Sequence, residues 1–396
     1  MRFLICEWSG YMQDDLEDCL HSLGIDTVEY GYRILNFDRD DYFYRRFDRI
    51  LDEETVDAVM MMNYIAPLAE LCAKHQIPYI SWVYDCPFGL KEPEKTLGLP
   101  TNHIFFFDRE QAGLYQRKGF QTVDHLPLAV NANRIDGLLR EGVSGEDPGM
   151  DFKAEVSFVG ILYDNKYHTV KELLPDQHKK ELDEIVDNQI GVYTDYRIKD
   201  RLRRAMNPDW REFFKGISDV SMLGEEAFYD WMEHTLAKKV TREERIQILS
   251  GIGAKHKTAL YSPAGDDRLS DVEFRGIVSA YDTAPLVYHH SKINLNITLK
   301  DIVSGISLRV FEILGAGGFL LSNRQPEIEE YFRDGEEVVL YDSIEDCINK
   351  ASYYLEHEDE RCCIAAKGRK AVERFSFEKQ VGEIIKRVFG KEIIGY

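Results

Sequence analysis

Long apolar runs are missing from this sequence. No stretch reaches the roughly 18 consecutive apolar residues that a membrane-spanning helix needs, so we expect no integral membrane segment. The opening residues MRFLICEW have only four apolar residues in a row before Glu7, which is too few for the apolar core of a secretory signal. We therefore expect a protein of the cytoplasm.

Cysteine is sparse and irregularly spaced. The chain has seven cysteines, which stand at positions 6, 19, 72, 86, 347, 362 and 363. No two of them form a C-x-x-C pair, so neither a zinc knuckle nor a thioredoxin-type motif is indicated. The odd, unpatterned set fits a reducing compartment, in agreement with the cytoplasm.

Positive charge is in short supply. Lys and Arg number 49 against 70 Asp and Glu, which gives a formal net charge of −21. Such a chain repels phosphate backbones and anionic lipid, so nucleic acid and membrane surfaces are not expected partners. A small anionic ligand stays compatible with this balance, because it needs only a local pocket.

Strand and helix patterns alternate along the first part of the chain. Strands are predicted at 2–8, 27–30, 58–62, 79–84 and 104–107, and helices at 14–23, 38–51, 67–74 and 109–117. This alternation is typical of βαβ units and predicts an α/β fold, with a parallel sheet covered by helices on both faces.

The length of 396 residues predicts two domains, because one hydrophobic core seldom serves more than roughly 250–300 residues. Residues 137–151 concentrate Gly, Pro and acidic residues, and we interpret them as a linker between domains 1–136 and 152–376. Strands of the second domain are predicted at 154–159, 259–261, 276–279, 292–296, 319–322 and 337–341. A C-terminal helix within 377–396 is expected to pack back on the first domain.

An all-helical, highly charged insertion is predicted at 163–250, inside the second domain. Its Trp and Phe residues recur at helical spacing, and we expect them to form a small core of their own.

The segment SGISLRVFEILGAGGFLL at 304–321 carries the most informative pattern. Its first four residues form a predicted loop after a strand, and a helix begins directly after them. Gly305 permits close approach of a backbone, and a helix N-terminus is a ready anion site. Arg309 would add a bidentate fork for phosphate. Glu312, one turn later, would accept both hydroxyls of a ribose.

The same segment has a plainer interpretation. Ser304 or Ser307 would then be an ordinary cap of the helix, and the glycines after the helix would cap its C-terminus. Arg309 and Glu312 would form a surface ion pair. Both interpretations stay open at the level of these residues alone.

This segment resembles the C-terminal nucleotide-sugar domain of GT-B glycosyltransferases, in the group that includes the spore-maturation glycosyltransferase-like proteins. Three more segments are similar to the same family, namely YISWVYD at 79–85, HLPLA at 125–129 and AEVSFVG at 154–160. The resemblance implies two Rossmann-like domains facing a cleft. It also implies transfer of a sugar from a nucleotide-diphosphate sugar to a hydroxyl of a glycan or protein. No cofactor or metal is expected, because Arg309 and the helix N-terminus would stabilise the leaving diphosphate.

The resemblance also assigns roles to single residues. Glu312 matches the carboxylate that holds the donor ribose, and Arg309 matches a diphosphate ligand. Gly160 matches a loop that lets the diphosphate approach, and Tyr281 lies in the region that meets the base. The predicted donor-binding set is Gly160, Tyr281, Asn296, Ser304, Gly305, Ile306, Ser307, Arg309 and Glu312.

The chain departs from the family pattern at two places. Retaining relatives often carry a second Glu eight residues before the ribose Glu, and Ser304 stands at that position here. The motif therefore does not support a retaining mechanism, and the stereochemical outcome stays open. The histidine typical of the last helices is also missing, since 374–377 reads RFSF.

Two predicted turns of the first domain are candidates for the acceptor side. Asp85 follows a buried strand, and a carboxylate there would serve as general base on an acceptor hydroxyl. The alternative is that Asp85 caps the turn before Pro87. Ser9, Gly10 and Tyr11 form the other turn, where Gly10 either approaches a ligand or simply makes the turn.

Three further patterns look functional but stand in the wrong context. The DRD triplet at 38–40 opens an amphipathic helix, where acidic residues favour the helix dipole. The His pair at 289–290 lacks other ligands at metal-binding spacing. The GAGG run at 315–318 follows a helix, whereas a dinucleotide fingerprint precedes one.

Two other functions stay compatible with the sequence. A scaffold or binding protein of this fold would hold the nucleotide sugar without turnover, which Ser304 and the large insertion motivate. A GT-B epimerase would act on the sugar nucleotide alone. In an enzyme, the insertion at 163–250 would gate or enlarge the acceptor site, or build a homo-oligomer contact.

Overall fold

The computed structural model describes residues 1–6, 12–31, 40–86, 95–141, 152–163, 166–206, 210–214 and 225–392. The chain divides into two compact units. The first unit comprises Met1–Asn131, Ser304–Leu308 and Arg374–Tyr396, and the second comprises Ala132–Val303 and Arg309–Glu373.

The described part of the first unit is built on a six-stranded parallel sheet. Its strands are β1 (Arg2–Cys6), β2 (Asp26–Tyr30), β3 (Ala58–Met62), β4 (Tyr79–Val83), β5 (Asn102–Phe106) and β6 (Val123–His125). They are ordered β2-β1-β3-β4-β5-β6 across the sheet. Its first four helices are α1 (Gln13–Ser22), α2 (Asp41–Glu53), α3 (Ala66–His75) and α4 (Arg109–Arg117). Every residue of β3 and β4 is buried, as expected of central strands covered on both faces.

Two sequence predictions for the first unit meet different outcomes. The helix cap predicted at the DRD triplet is confirmed for Asp40, whose carboxylate accepts a hydrogen bond from the Phe43 N–H at 3.0 Å. The other two residues of the triplet lie outside the described residues. The HLPLA segment at 125–129 is similar to the strand that closes the N-terminal domain in the GT-B family, but here it is not a strand, because β6 ends at His125. Pro127 has no N–H to donate to a strand ladder.

The second unit contains a second six-stranded parallel sheet in its described part. Its strands are β7 (Ala154–Val159), β8 (Thr258–Tyr261), β9 (Val272–Phe274), β10 (Ser291–Asn296), β11 (Leu320–Asn323) and β12 (Val339–Tyr341). Their order is β12-β11-β10-β7-β8-β9, so the chain reverses its direction of growth between β7 and β10. Ligands of such sheets bind outside the carboxyl ends of the strands at this switch point. The predicted α/β class is confirmed.

Helices surround this sheet and fill the insertion. They are α5 (Ala132–Glu141), α6 (Lys166–Glu172), α7 (Asp176–Asp187), α8 (Ile198–Ala205), α9 (Trp210–Phe213), α10 (Glu225–Gly253), α11 (Ala284–His290), α12 (Leu308–Gly315), α13 (Pro326–Tyr331), α14 (Ile344–Glu356) and α15 (Glu358–Ala371). Of these, α5 extends into the segment predicted as a linker, whose residues 142–151 lie outside the described part. The short helices α11 and α13 were not predicted.

The strand predicted at 276–279 is wrong. The edge strand of this sheet is β9, which pairs with β8, and residues 275–279 form a loop. Gly276 has a φ of 75°, in the left-handed region that interrupts a strand. Ile277 is 74% exposed, whereas Val272 of β9 is buried. Apolar content alone therefore misplaced the strand by four residues.

The described part of the insertion contains helices joined by loops and no strand, as predicted. Trp210, Phe214, Phe228 and Met232 are fully buried in a core of its own, which confirms that expectation. The 29-residue helix α10 joins this core to that of the sheet, because its last turns bury Ile248 and Ile252 there. One rigid helix thus connects the insertion to the carboxyl edge of β7 and β10.

The last helix, α16 (Phe377–Phe389), belongs to the first unit. Its Phe389 stacks on Phe3 with ring centroids 5.9 Å apart, and Phe377 meets Trp82 edge-on at 6.0 Å. The Gln380 amide donates a hydrogen bond to the Pro127 carbonyl at 2.7 Å. Within the described ranges, no helix combines the length and the apolar character needed to cross a bilayer.

Replacing Phe377 by Ala should lower the free energy of unfolding by about 3–5 kcal/mol, because the fully packed ring leaves a cavity against Trp82. Urea unfolding of the full chain measures this change. Phe213→Ala is the control, since that ring is 37% exposed. Equal unfolding midpoints for the two variants would contradict the packing described here.

Candidate functional site

Arg309 connects the two strand ends at the switch point. It lies in the first turn of α12, and its Nε donates to the Val159 carbonyl at the end of β7, at 2.7 Å. Its Nη1 donates to Oδ1 of Asn296, the last residue of β10, at 3.0 Å. The buried Asn296 amide also donates to Thr298 and Ser322, so its orientation is fixed. Both predicted donor residues therefore lie together, bound to each other.

The same guanidinium leaves no room for a side chain at Gly160. A Cβ at this position would lie 2.6 Å from Nη2 of Arg309 and 3.0 Å from the tip of the Phe158 ring. The Arg309 guanidinium also lies over that ring, 5.1 Å from its centroid. A side chain at position 160 would therefore displace Arg309 from the strand ends.

Arg245 is a second arginine at this place, and the sequence did not predict it. It lies on α10 and is only 2% exposed. Its Nη2 donates to the Ile297 carbonyl at 2.6 Å, and its Nη1 donates to the Ile161 carbonyl. Its guanidinium lies 5.1 Å from the centroid of Phe158, the ring that Arg309 also contacts. The signal was available, because helical spacing puts Arg245 on the apolar face of α10.

The two arginines leave positive charge unneutralised. In the part of the chain that the structure describes, neither guanidinium forms an ion pair with a carboxylate. Burial lowers the pKa of Arg245 to about 10, and the positive charge of Arg309 acts in the same direction. Adjacent cations with planar donor forks are the arrangement that binds phosphate groups. The site is therefore suited to an anion.

The loop ahead of α12 belongs to the first unit and is bound there by Asp108. One oxygen of this carboxylate, Oδ2, accepts hydrogen bonds from the N–H groups of Ser304 and Gly305, both at 3.1 Å. The other, Oδ1, accepts from the Ser304 hydroxyl at 3.2 Å and from the Gln111 N–H at 2.9 Å. A Cβ on Gly305 would lie 2.8 Å from the Asp108 Cα, so only glycine fits.

These hydrogen bonds occupy backbone N–H groups of the loop that were predicted to bind a diphosphate. The sequence predicts that the backbone of Gly305, Ile306 and Ser307 faces a diphosphate, and this role stays a prediction. In the structure the Gly305 N–H is bound to Asp108, and Ile306 is buried. Ser307 and Glu312 are half-buried. Asp108 was not predicted, because its partners lie almost 200 residues away.

Tyr281 lies in the loop after β9 and is held by Arg134 of α5. The Arg134 guanidinium lies 3.9 Å from the centroid of the Tyr281 ring, and its Nη1 donates to the Tyr281 carbonyl at 2.5 Å. A cation this close to a ring fixes the ring plane. The predicted base-binding residue is thus positioned by a contact inside the second unit.

Asp85 is positioned by Asn63 at the carboxyl edge of the first sheet. The Asn63 Oδ1 accepts hydrogen bonds from the Tyr84 N–H at 2.8 Å and the Asp85 N–H at 3.0 Å. Its Nδ2 donates to the Asp85 carboxylate at 3.0 Å. Burial raises the pKa of Asp85, and the Asn63 hydrogen bond opposes that rise. A carboxylate with a raised pKa is the kind of group that accepts a proton in catalysis.

Other predicted residues lie elsewhere or outside the described part. Ser9, Gly10, Tyr11 and Pro87 are not among the described residues. His289 uses its Nδ1 on the Ala316 carbonyl at 2.9 Å. Among the described residues, no group of three or more His, Cys, Asp or Glu is placed to hold a metal ion.

Gly160→Ala should lower the free energy of unfolding by about 1–3 kcal/mol, because the new Cβ must push Arg309 off its two hydrogen bonds. The control is Gly382→Ala in α16, where a Cβ meets open space. That change should be neutral or stabilise the helix by up to about 1 kcal/mol. Urea unfolding compares them, and equal effects would contradict the close approach at Gly160.

Asp85→Asn should raise the thermal unfolding temperature at pH 7. A carboxyl whose pKa is higher in the folded state than in the unfolded one costs stability once it is ionised. The gain should shrink as the pH falls through the raised pKa of the folded state, and should vanish below the usual pKa of Asp, about 3.9. Asp18→Asn at an exposed position of α1 is the control. A variant less stable than the wild type at pH 7 would show that the ionised carboxylate is stabilising.

Comparisons with known proteins match part of the chain to a family model and most of the chain to solved structures. Residues 232–386, which include α12 with Arg309 and Glu312, match the family described as glycosyl transferase-like. No curated protein sequence is a significant match to the chain.

Solved structures of several glycosyltransferases share the fold. HepE from Anabaena, solved in complex with UDP-glucose, is similar at 10% identity and a TM-score of 0.55, over 98% of this chain and 100% of its own. Sucrose-phosphate synthase from Thermosynechococcus elongatus is similar at 10% identity and a TM-score of 0.55, over 98% and 99%. A UDP-forming trehalose-phosphate synthase from Burkholderia vietnamiensis is similar at 9% identity and 0.53, over 98% and 100%.

The spore-maturation group is not tested by these matches and stays a prediction. The two six-stranded parallel sheets of the chain accompany this likeness in fold to solved glycosyltransferases. The chain therefore has the GT-B fold of solved glycosyltransferases, and its residues 232–386 match the model of the glycosyl transferase-like family.

Proposed function

We propose that this chain transfers a sugar from a nucleotide-diphosphate sugar to a hydroxyl group of a glycan or protein acceptor. The observation that carries the proposal is the arginine pair at the switch point of the second sheet, which has no described carboxylate partner. An uncompensated pair of cations next to buried strand ends is costly unless an anion binds there. The chain as a whole has a net charge of −21, so a local concentration of positive charge favours a site for an anionic ligand.

The donor diphosphate would bind against Arg245 and Arg309. Their forks would stabilise the negative charge that grows on the leaving diphosphate, which is the work that a metal ion does in other transferases. We therefore propose a metal-independent reaction. Glu312 would accept the ribose hydroxyls, and Tyr281 would contact the base. A uridine nucleotide is the first donor to test, because HepE was solved with UDP-glucose.

Asp85 would act on the acceptor. Its raised pKa and its fixed orientation by Asn63 suit a general base that takes a proton from the attacking hydroxyl. Positioning of the acceptor oxygen by the same carboxylate would add to the rate. The identity of the sugar and of the acceptor is not part of this proposal.

A non-catalytic nucleotide-sugar-binding protein is the second candidate. The N–H groups of Ser304 and Gly305 are already bound to Asp108, which leaves them unavailable to a diphosphate in this conformation. Such a protein would bind donor and never consume it. An epimerase would convert the sugar of the donor without any acceptor, so incubation with donor alone separates the three functions.

A thermal-shift panel of UDP, GDP, dTDP, CDP and ADP tests the donor site. One diphosphate at about 100 times its dissociation constant should add roughly 2.7 kcal/mol to the stability of the wild type. Arg309→Lys, Arg245→Lys and Glu312→Ala should lose most of that gain, because a lysine keeps the charge but not the planar fork. The control is Arg117→Ala, a surface position of α4. If no diphosphate stabilises the wild type, the proposed transferase function is wrong.

A further inference from the structure

A buried ion pair joins the insertion to the loop after β10, and the proposed function does not use it. Lys300 lies in that loop, and its Nζ donates to Oε1 of Glu244 on α10 at 2.7 Å. The Lys300 side chain is 7% exposed and the Glu244 side chain is 0% exposed. The same carboxylate oxygen accepts the Gly191 N–H at 2.8 Å, from the loop between α7 and α8. One carboxylate therefore holds two loops against α10.

Burying this ion pair costs free energy, because both charges lose their hydration when the chain folds. Apolar or neutral residues of similar volume often replace such a pair with no loss of stability. A buried pair can instead select one conformation of the segments that it joins. The contacts around Lys300 and Glu244 show which segment this pair fixes.

Direct contacts lead from the ion pair to Arg309. The Lys300 ammonium lies 4.1 Å from the centroid of the Tyr193 ring, which belongs to the insertion. The Tyr193 ring meets the Tyr341 ring edge-on with centroids 5.3 Å apart, and the Tyr341 hydroxyl donates to the Asn296 carbonyl at 3.2 Å. The Asn296 side chain in turn accepts from Arg309. Consecutive contacts inside the second unit thus link the pair to a proposed diphosphate-binding residue.

The main chain of the same loop is also bound to α10. The Lys300 N–H donates to the Thr241 hydroxyl at 2.9 Å, and the Ile297 carbonyl accepts from Arg245. Thr241, Glu244 and Arg245 are three and four residues apart, so they lie on one face of the helix. The segment that leaves β10 therefore takes its position from this face of the long helix.

We propose that Lys300, held by Glu244, is a positioning residue of the diphosphate site. The insertion then serves to fix Asn296 and Arg309 in the arrangement that receives the donor. This inference rests on the proposed function and adds to it the means by which the site is held ready. An oriented guanidinium loses less freedom when an anion binds, which raises the affinity. This role is distinct from a gate at the acceptor site and from an oligomer contact.

The direct test removes both charges at once. Lys300→Met combined with Glu244→Gln keeps similar side-chain volumes and leaves an amide oxygen for the Gly191 N–H. The thermal unfolding midpoint should stay within about 4 °C of the wild type, because a buried pair adds little net stability. The affinities for UDP and for inorganic pyrophosphate, measured by calorimetry, should fall about 10-fold. Wild-type affinities in a stably folded variant would overturn the inference.

A thermodynamic cycle with Arg309→Lys tests whether the pair acts through the guanidinium. A lysine lacks the planar fork that binds Val159 and Asn296 together, so it gains nothing from their alignment. In the Arg309→Lys background, the double replacement should therefore change the pyrophosphate affinity by less than about 2-fold. A loss of about 10-fold in both backgrounds would contradict the proposed positioning of Arg309.

The matched control is Lys239→Met combined with Glu243→Gln. These residues form another ion pair of α10, with Nζ 2.7 Å from Oε1 and both side chains 14% exposed. Glu243 binds Arg268 at 2.9 Å with its other oxygen, rather than the loop after β10. The control should bind UDP and pyrophosphate as the wild type does. If it loses as much affinity as the first double variant, the inference is wrong.

A milder variant decides the matter if the double replacement prevents folding. Tyr341→Phe removes only the hydroxyl that donates to the Asn296 carbonyl and keeps the ring that contacts Tyr193. Its affinity for pyrophosphate should fall about 3-fold, because one of the contacts that fix Asn296 is gone. An unchanged affinity would overturn the inference.

The two ligands separate a failure of the inference from a failure of the proposed function. If the wild type and the first double variant bind UDP equally well, the inference is wrong while the proposed function stands. If the wild type binds pyrophosphate but none of the five nucleoside diphosphates, the proposed function is wrong, and the pyrophosphate affinities of the variants decide the inference. If the wild type binds neither kind of ligand, both are wrong.

Discussion

The bond between the Arg309 guanidinium and the ends of β7 and β10 is the constraint on which the second unit depends. Parallel strands diverge at a switch point, and this side chain crosses the opening by binding Val159 on one side and Asn296 on the other. Position 160 must then be glycine, and Asn296 must be a buried amide. Arg245 of α10 binds the Ile297 carbonyl, directly after β10. The long helix of the insertion and the second sheet are therefore in contact at the arginine pair.

Several features at the carboxyl ends of the two sheets lower the stability of the fold. A role in binding or catalysis explains why the chain has them. Two arginines share the Phe158 ring without a described carboxylate partner, and Tyr163 lies in the left-handed region of φ. In the first unit, Asn63 has a φ of 66° and holds a carboxylate whose pKa burial has raised. Proteins keep such unfavourable features mainly where binding or catalysis needs them. All of them lie just beyond the carboxyl ends of central strands.

The sequence predicts the local structure well and the long-range contacts poorly. Periodicity placed every described strand except β6 and β9, and it placed the helical insertion, because a pattern of apolar residues is a local property. It failed at 276–279, where Gly276 ends extended structure. Asp108 could not be found, since its role depends on Ser304 and Gly305 far along the chain. Arg245 was overlooked because it stands in the charged run REER, where an arginine normally faces solvent, although its helical spacing from Ile248 and Ile252 was a signal that it is buried.

The most direct measurement is a crystal structure of the chain with UDP, or with whichever diphosphate stabilises it. We expect phosphate oxygens at hydrogen-bond distance, about 3 Å, from the guanidinium groups of both Arg245 and Arg309. The electron density would also show whether the N–H groups of Ser304 and Gly305 leave Asp108. A diphosphate bound away from both arginines, with their bonds to the strand ends unchanged, would contradict the central claim that this pair is the anion site.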